Sequence, residues 1–355
     1  MCALSEHGEV PDGVDLEALS PWFATHVANA TGAPLWAELI SGGRSNLTYL
    51  VGDGTHEWVL RRPPLGHVLP TAHDMAREYT VIRALADTAV PVPNVFAFCD
   101  DVAVNGAPFY VMANVDGVIL RTPEDMAELS TAQARSCSEG LIDVLAAIHA
   151  VDYPAVGLAE FGHPDGFLER QVRRWGEQWE RSKATELPAI DELARRLRAA
   201  LPESPPPTIV HGDYRLDNTM LAADDPGRVV AVLDWEMSTL GDPLADLGLF
   251  LLYWGQADAQ VIATGAGIDP AKGFLTREEV IDRYAAATGT PLDSLDWYEA
   301  FAAYKLAIIV AGIHARYLMG KTLGAGFDTM GDMVDRLAVS ALERTNHSSI
   351  AALRG

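Results

Sequence analysis

Residues His211-Gly212-Asp213-Tyr214-Arg215-Leu216-Asp217-Asn218 and, further on, Val229-Val230-Ala231-Val232-Leu233-Asp234-Trp235-Glu236 are the stretch that decides how this chain is read. Asp213 stands two residues after a histidine and five before an asparagine, and Asp234 closes an apolar run. Pro205-Pro206-Pro207 followed by Thr208-Ile209-Val210 predicts an extended entry into the first segment. Residues 219–221 and 229–233 predict two short strands, and Asp224-Asp225-Pro226-Gly227 between them is turn chemistry. Such a hairpin would return Asp234 towards Asn218.

Read chemically, the stretch offers one candidate base, Asp213, and two oxygen donors of the hard kind that suits Mg²⁺, Asn218 and Asp234. A base Asp followed five residues later by a metal-binding Asn, with a second metal-binding Asp beyond, is an arrangement that phosphoryl transfer uses. It holds an acceptor hydroxyl in line with a metal-bound triphosphate while charge spreads over the transferred group. His211 reads better as a brace for the loop than as a participant in the chemistry.

The block HGDYRLDN...VLDWEMSTLGDPLADLG closely resembles the aminoglycoside phosphotransferase and choline kinase superfamily. Within it, the chain resembles the kinase-like domain of acyl-CoA dehydrogenase family members ten and eleven and their stand-alone bacterial relatives. The resemblance runs from about residue 37 to 249 and more weakly through the terminal helices. It implies an α+β, protein-kinase-like two-lobed fold, with a small antiparallel-sheet N-lobe over residues 1–116 and a mostly helical C-lobe over 117–355. Residues 1–20 read as a loosely ordered acidic arm leading to a short helix around residues 21–30.

In the first lobe, residues 36–40, 47–51 and 57–61 predict a three-stranded antiparallel meander. Ser41-Gly42-Gly43-Arg44-Ser45-Asn46 joins the first two strands. It reads either as a plain turn or as a phosphate loop, in which glycine amides and the hydroxyls of Ser41 and Ser45 would meet phosphate oxygens. A kinase lobe also needs a cation on its third strand, and there is no lysine before Lys183. Arg61 is the candidate, within Val59-Leu60-Arg61-Arg62-Pro63-Pro64; a surface arginine is the alternative. Met75, Tyr79, Ile82 and Leu85 predict a helix over 73–85, and the resemblance implies that its Glu78 pairs with Arg61. A strand over 109–113 should run into a connector, and the resemblance implies that the backbone of Ala113, Asn114 and Val115 lies along adenine.

In the second lobe, helices are expected over 132–149, 166–181 and 188–201, and three more from residue 276 to about 351. Trp175 and Trp179 share a helix face and suit a core better than an acceptor pocket. Asp242 and Asp246 read as supports of the site, Asp242 as a helix cap. Lys305, His314 and Arg316 interrupt an otherwise apolar helix, with no spacing that assigns them a role.

A formal net charge of -23 argues against nucleic acid as a partner. It suits either steering of a cationic acceptor or simple solubility. Cys2, Cys99 and Cys137 are scattered and form no metal or redox pair. The N-terminus lacks a secretory pattern, and the longest apolar runs, 249–254 and 306–313, fall short of the ~20 residues a membrane span needs. The expected protein is therefore cytoplasmic, with no membrane partner and no oligomeric state fixed by its sequence. Its expected activity is transfer of a γ-phosphoryl group from ATP, with Mg²⁺, to the hydroxyl of a small molecule. A nucleotide-binding scaffold without turnover is the alternative, supported only by the missing lysine.

Overall fold

Tyr49 and Val51, Trp58 and Leu60, and Phe109 and Val111 each occupy alternate positions on adjacent strands, so their side chains share one face of a sheet. In the computed structural model, which describes residues 10–42, 46–65, 74–183, 185–254, 268–319 and 330–355, that face packs on Leu19 and Phe23 of the first helix. The elements are α1 (Leu16–His26), β1 (Trp36–Gly42), β2 (Leu47–Gly52), β3 (Glu57–Arg62), α2 (Met75–Leu85), β4 (Val95–Cys99), α3 (Val102–Asn105) and β5 (Phe109–Ala113). The five strands form one antiparallel sheet in the order β1-β2-β3-β5-β4. Strand alternation turns Arg61 to the face opposite Leu60, with Thr48 and Tyr110 as its cross-strand partners.

The N-terminal expectation needs correcting. Residues 1–9 lie outside the described residues, but the chain is helical from Leu16, because the Asp15 side chain caps the Ala18 amide. Pro21 falls inside α1 rather than at its start, costing one hydrogen bond to the exposed Glu17 carbonyl.

The chain forms two compact units. The first is Met1–Gly117 together with Val230–Ser238, and the second is Val118–Val229 with Thr239–Gly355. The segment containing Asp234, which chain order assigns to the C-lobe, thus belongs with the sheet. It is tied there by the Val232 amide on the Pro91 carbonyl (2.8 Å) and by Arg77 of α2 on the Ser238 carbonyl (2.9 Å).

The second unit contains α4 (Pro123–Ala127), α5 (Thr131–His149), α6 (Phe167–Ser182), α7 (Pro188–Ala199), β6 (Thr208–Val210) and β7 (Thr219–Leu221). The chain then reaches β8 (Val229–Val232), which leads into the first unit, and continues through β9 (Thr239–Gly241), α8 (Leu244–Trp254), α9 (Arg277–Thr288), α10 (Leu295–Leu318) and α11 (Met330–Asn346). β6 pairs antiparallel with β9, and the turn at 224–227 is closed by the Ala222 amide on the Arg228 carbonyl (2.9 Å). Trp175 and Trp179 are buried, as a core role requires. The apolar run at 306–313 proves to be part of a 24-residue helix, α10, long and apolar enough by length and composition to span a bilayer. Fourteen of its residues are buried within the protein, the pattern of a core helix.

Asp53, after β2, accepts hydrogen bonds from the Thr31 amide and hydroxyl and the Thr55 and His56 amides. Burial alone would raise its pKa, but these bonds outweigh it and hold the carboxyl well below its usual range. A depressed folded-state pKa adds stability that is complete above the unfolded value, near ~4, and fades as pH falls through the folded value. Asp53→Asn should therefore be less stable at pH 6 and lose less further stability between pH 5 and 3, as denaturant melts across that range would show.

Candidate functional site

The catalytic-loop candidates lie in the second unit. β6 delivers the chain to His211, and Gly212 adopts φ +85°, a left-handed conformation open to glycine at little cost. The buried Asp246 of α8 accepts the His211 amide on one carboxylate oxygen (2.6 Å) and the Gly212 amide on the other (2.7 Å). His149 Nε2 lies 3.3 Å from Asp246, and its Nδ1 meets the Tyr284 hydroxyl at 2.7 Å. Burial raises the Asp246 pKa, but His149, His211 and the Gly212 amide outweigh it and hold the carboxyl below its usual value.

His211 is fully buried, and its Nδ1 accepts the Asp213 amide (3.2 Å), which makes it the brace expected from the sequence. Asn218 ends the short helical turn 216–218, and its Nδ2 donates to both the Asp213 carbonyl (2.8 Å) and Asp213 Oδ2 (2.9 Å). That spends the amide nitrogen of Asn218 on Asp213 and leaves Oδ1 as a hard donor. Arg215 Nε stands 3.7 Å from Asp213 Oδ2, and its guanidinium lies over the Tyr253 ring at 4.9 Å. Neither Arg215 nor Tyr253 was among the sequence candidates. Arg215 lies in the loop itself and could have been flagged by proximity, whereas Tyr253 comes from the far end of α8.

The other candidates lie in the first unit. Glu78 of α2 is fully buried, and its Oε2 accepts Arg61 Nε at 3.1 Å, the pair the resemblance implies. A partner not foreseen is Asp234, whose Oδ1 accepts Arg61 Nη2 at 2.5 Å. The planar guanidinium thus addresses both carboxylates, with Thr48 Oγ1 3.4 Å from its third nitrogen. Burial disfavours the charged guanidinium, but Glu78, Tyr110 and Asp234 more than offset this and push its pKa further up. Glu78 feels the opposite balance: burial pushes its carboxyl up, Arg61 pulls it down.

Asp234 has φ 64° and ψ 58°; among the described residues Asn29 is the one other non-glycine with positive φ. Backbone strain of this kind persists where neighbours fix it, and here Trp235 is fully buried with its Nε1 on the Val232 carbonyl (3.0 Å). Buried Asn46 donates to Glu236 Oε2 at 3.0 Å, tying the end of the β1–β2 connection to the Asp-Trp-Glu segment. Ser41 and Gly42 complete β1, paired with Thr48 and Leu47, while Gly43 and Ser45 lie outside the described residues. Ala113 ends β5 with its amide on the Asn94 carbonyl (2.8 Å), and Asn114 Nδ2 reaches Glu57 at 3.2 Å. Val115 follows in the connector.

Each unit thus gathers its own candidates: Arg61, Glu78, Asp234 and Asn46 in the first, Asp213 and Asn218 in the second. Among the described residues no group of three or more His, Cys, Asp or Glu forms a metal cage.

The phosphotransferase enzyme family matches residues 36–301 of the chain. Acyl-CoA dehydrogenase family member 11 of Gallus gallus is 36% identical over 321 residues, which is 88% of this chain and 41% of that protein. Acyl-CoA dehydrogenase family member 10 of Mus musculus is 33% identical over 325 residues, 91% of this chain and 30% of that protein. The chain therefore spans well under half the length of these relatives. The crystal structure of a candidate aminoglycoside phosphotransferase of Ralstonia eutropha is 34% identical, with a TM-score of 0.84 over 95% of this chain and 99% of that one.

Because Glu78 is fully buried and the Arg61 side chain is only 13% exposed, removing one partner strands the other. Glu78→Leu should cost about 3 kcal/mol or more of stability, while the double replacement Arg61→Leu/Glu78→Leu should cost less than the sum of the two single ones. Chemical denaturation of the three variants measures this, and simple additivity would show that the pair is not coupled.

Proposed function

Because the chain belongs to the phosphotransferase enzyme family, we propose that it transfers the γ-phosphoryl group of ATP, with Mg²⁺, to a hydroxyl of a small molecule. The observation that carries this reading is the Asp213–Asn218 contact of 2.9 Å, on a loop whose two amides before Asp213 are held by Asp246. Asp213 would act as the base, taking the proton from the acceptor hydroxyl as its oxygen attacks phosphorus. A carboxylate oriented by an amide donor needs no reorganisation at that moment.

The groups that would be offered to Mg²⁺ are the Asp234 carboxylate in the first unit and Asn218 Oδ1 in the second, and the ion would supply positive charge to neutralise phosphate. Arg61, steadied by Glu78, would hold phosphate through its fork. Ser41, Gly42, Gly43, Ser45 and Asn46 would form the phosphate loop, and the backbone of Ala113, Asn114 and Val115 would line adenine. On this reading residues 1–116 form the nucleotide-binding lobe, joined by the Asp234 segment, and the rest of 117–355 binds the acceptor. The same reading makes the protein cytoplasmic, its partner a hydroxylated acyl compound or another metabolite rather than nucleic acid or membrane.

Screening a metabolite library with the protein, ATP and Mg²⁺ for compounds that gain one phosphate tests the reading and identifies the acceptor. Asp213→Ala should abolish that gain with nucleotide affinity nearly unchanged. Asp234→Ala should weaken nucleotide binding in Mg²⁺ far more than in EDTA, as calorimetry would record. ATP binding with no phosphorylated product from any alcohol would favour a scaffold instead.

A further inference from the structure

Lys305 lies 93 residues from the candidate loop, yet its Nζ donates to the Gly212 carbonyl at 2.8 Å. That carbonyl belongs to the peptide bond leading into Asp213. The N–H of the same peptide bond is bound by His211 Nδ1 at 3.2 Å. The link preceding the candidate base is therefore gripped at both ends, and one grip comes from a side chain in the middle of an apolar helix. The Trp175 ring of α6 stands 5.8 Å from the ammonium.

Helix packing explains why Lys305 reaches this point. α8 and α10 cross so closely at Gly248 that a Cβ there would stand 2.7 Å from the Tyr298 carbonyl oxygen. Beside that contact the Tyr298 hydroxyl donates to Asp242 at 2.6 Å. Lys305 follows Tyr298 by seven residues, two helical turns, so both occupy one face of α10. The helix pair thus presents two opposite tools to one loop: the Asp246 carboxylate for the amides of His211 and Gly212, and the Lys305 ammonium for the Gly212 carbonyl. Burial lowers the Lys305 pKa, while Asp213 and Asp246 act against that. A neutral side chain of the same length could fill the space but would not be drawn to the loop.

We propose that Lys305 is a positioning residue of the site: it fixes the orientation of the Gly212–Asp213 peptide bond and thereby the direction in which the Asp213 carboxylate points. This rests on the phosphotransfer reading for its consequence, but not for its geometry. A charge-assisted hydrogen bond that aims a catalytic group should matter to turnover more than to nucleotide binding.

The test compares K305M, K305R and the core variant I308A by amide exchange, thermal melting and steady-state MgATP turnover with the acceptor from the screen. K305M should lower kcat by roughly 10- to 100-fold with KM for MgATP within about twofold, and should speed exchange of the Asp213 amide. K305R, which keeps a cationic donor, should recover much of both. I308A, which trims a fully buried side chain of α10 and leaves the Lys305 ammonium in place, should leave kcat and Asp213 exchange near wild type at a temperature where it is folded. A folded K305M with wild-type kcat and exchange would overturn the proposal, as would I308A reproducing the K305M defects. Should K305M fail to fold, K305Q replaces it with the same two outcomes. If the wild-type protein phosphorylates no acceptor, the phosphotransfer reading falls, and Asp213 exchange alone decides: faster in K305M supports the brace, unchanged refutes it.

Discussion

A single buried carboxylate, that of Asp246, carries the geometry of the second unit's site. It accepts two consecutive backbone amides, His211 and Gly212, at 2.6 and 2.7 Å, and a carboxylate so placed fixes a loop as firmly as a strand would. The energetics explain why it persists. Ionising a carboxyl away from water is costly, and what offsets the cost is the set of donors aimed at it, His149 among them. The loop is therefore held by the same bonds that keep Asp246 charged. Asp213 inherits its place from them, and Asn218 donates to one oxygen of its carboxylate.

In the first unit the organising charge has the opposite sign. A lysine ammonium is a point charge, but Arg61 offers a flat fork, and its nitrogens reach Glu78 and Asp234 at once. Strand alternation sends Arg61 to the face away from the α1 core, α2 buries Glu78 against it, and the 230–238 segment brings in Asp234. The left-handed backbone at Asp234 and the buried Trp235 beside it show how much local structure fixes that one carboxylate.

Much of this was legible in the sequence wherever the pattern was local. The five-residue spacing from Asp213 to Asn218 survives as a direct contact, and the strands around Arg61 and the helix around Glu78 stand where their periodicity puts them. What escaped was long-range. Nothing in the linear pattern joins Asp234 to Arg61 across 173 residues. A lone Lys305 in a 24-residue apolar helix has no spacing to announce it; its role follows from the close crossing of α8 and α10. Helix α1 begins at Leu16 because Asp15 supplies a cap, a stronger local signal than Pro21 five residues on.

The chemistry we propose is a direct in-line transfer from nucleotide to hydroxyl with Asp213 as base. Its most direct test is the stereochemical course of transfer from ATP made chiral at the γ-phosphorus with oxygen isotopes. A single displacement predicts inversion at phosphorus in the phosphorylated alcohol. Retention, which requires a phosphorylated protein intermediate, or release of the label only as free phosphate, would contradict it.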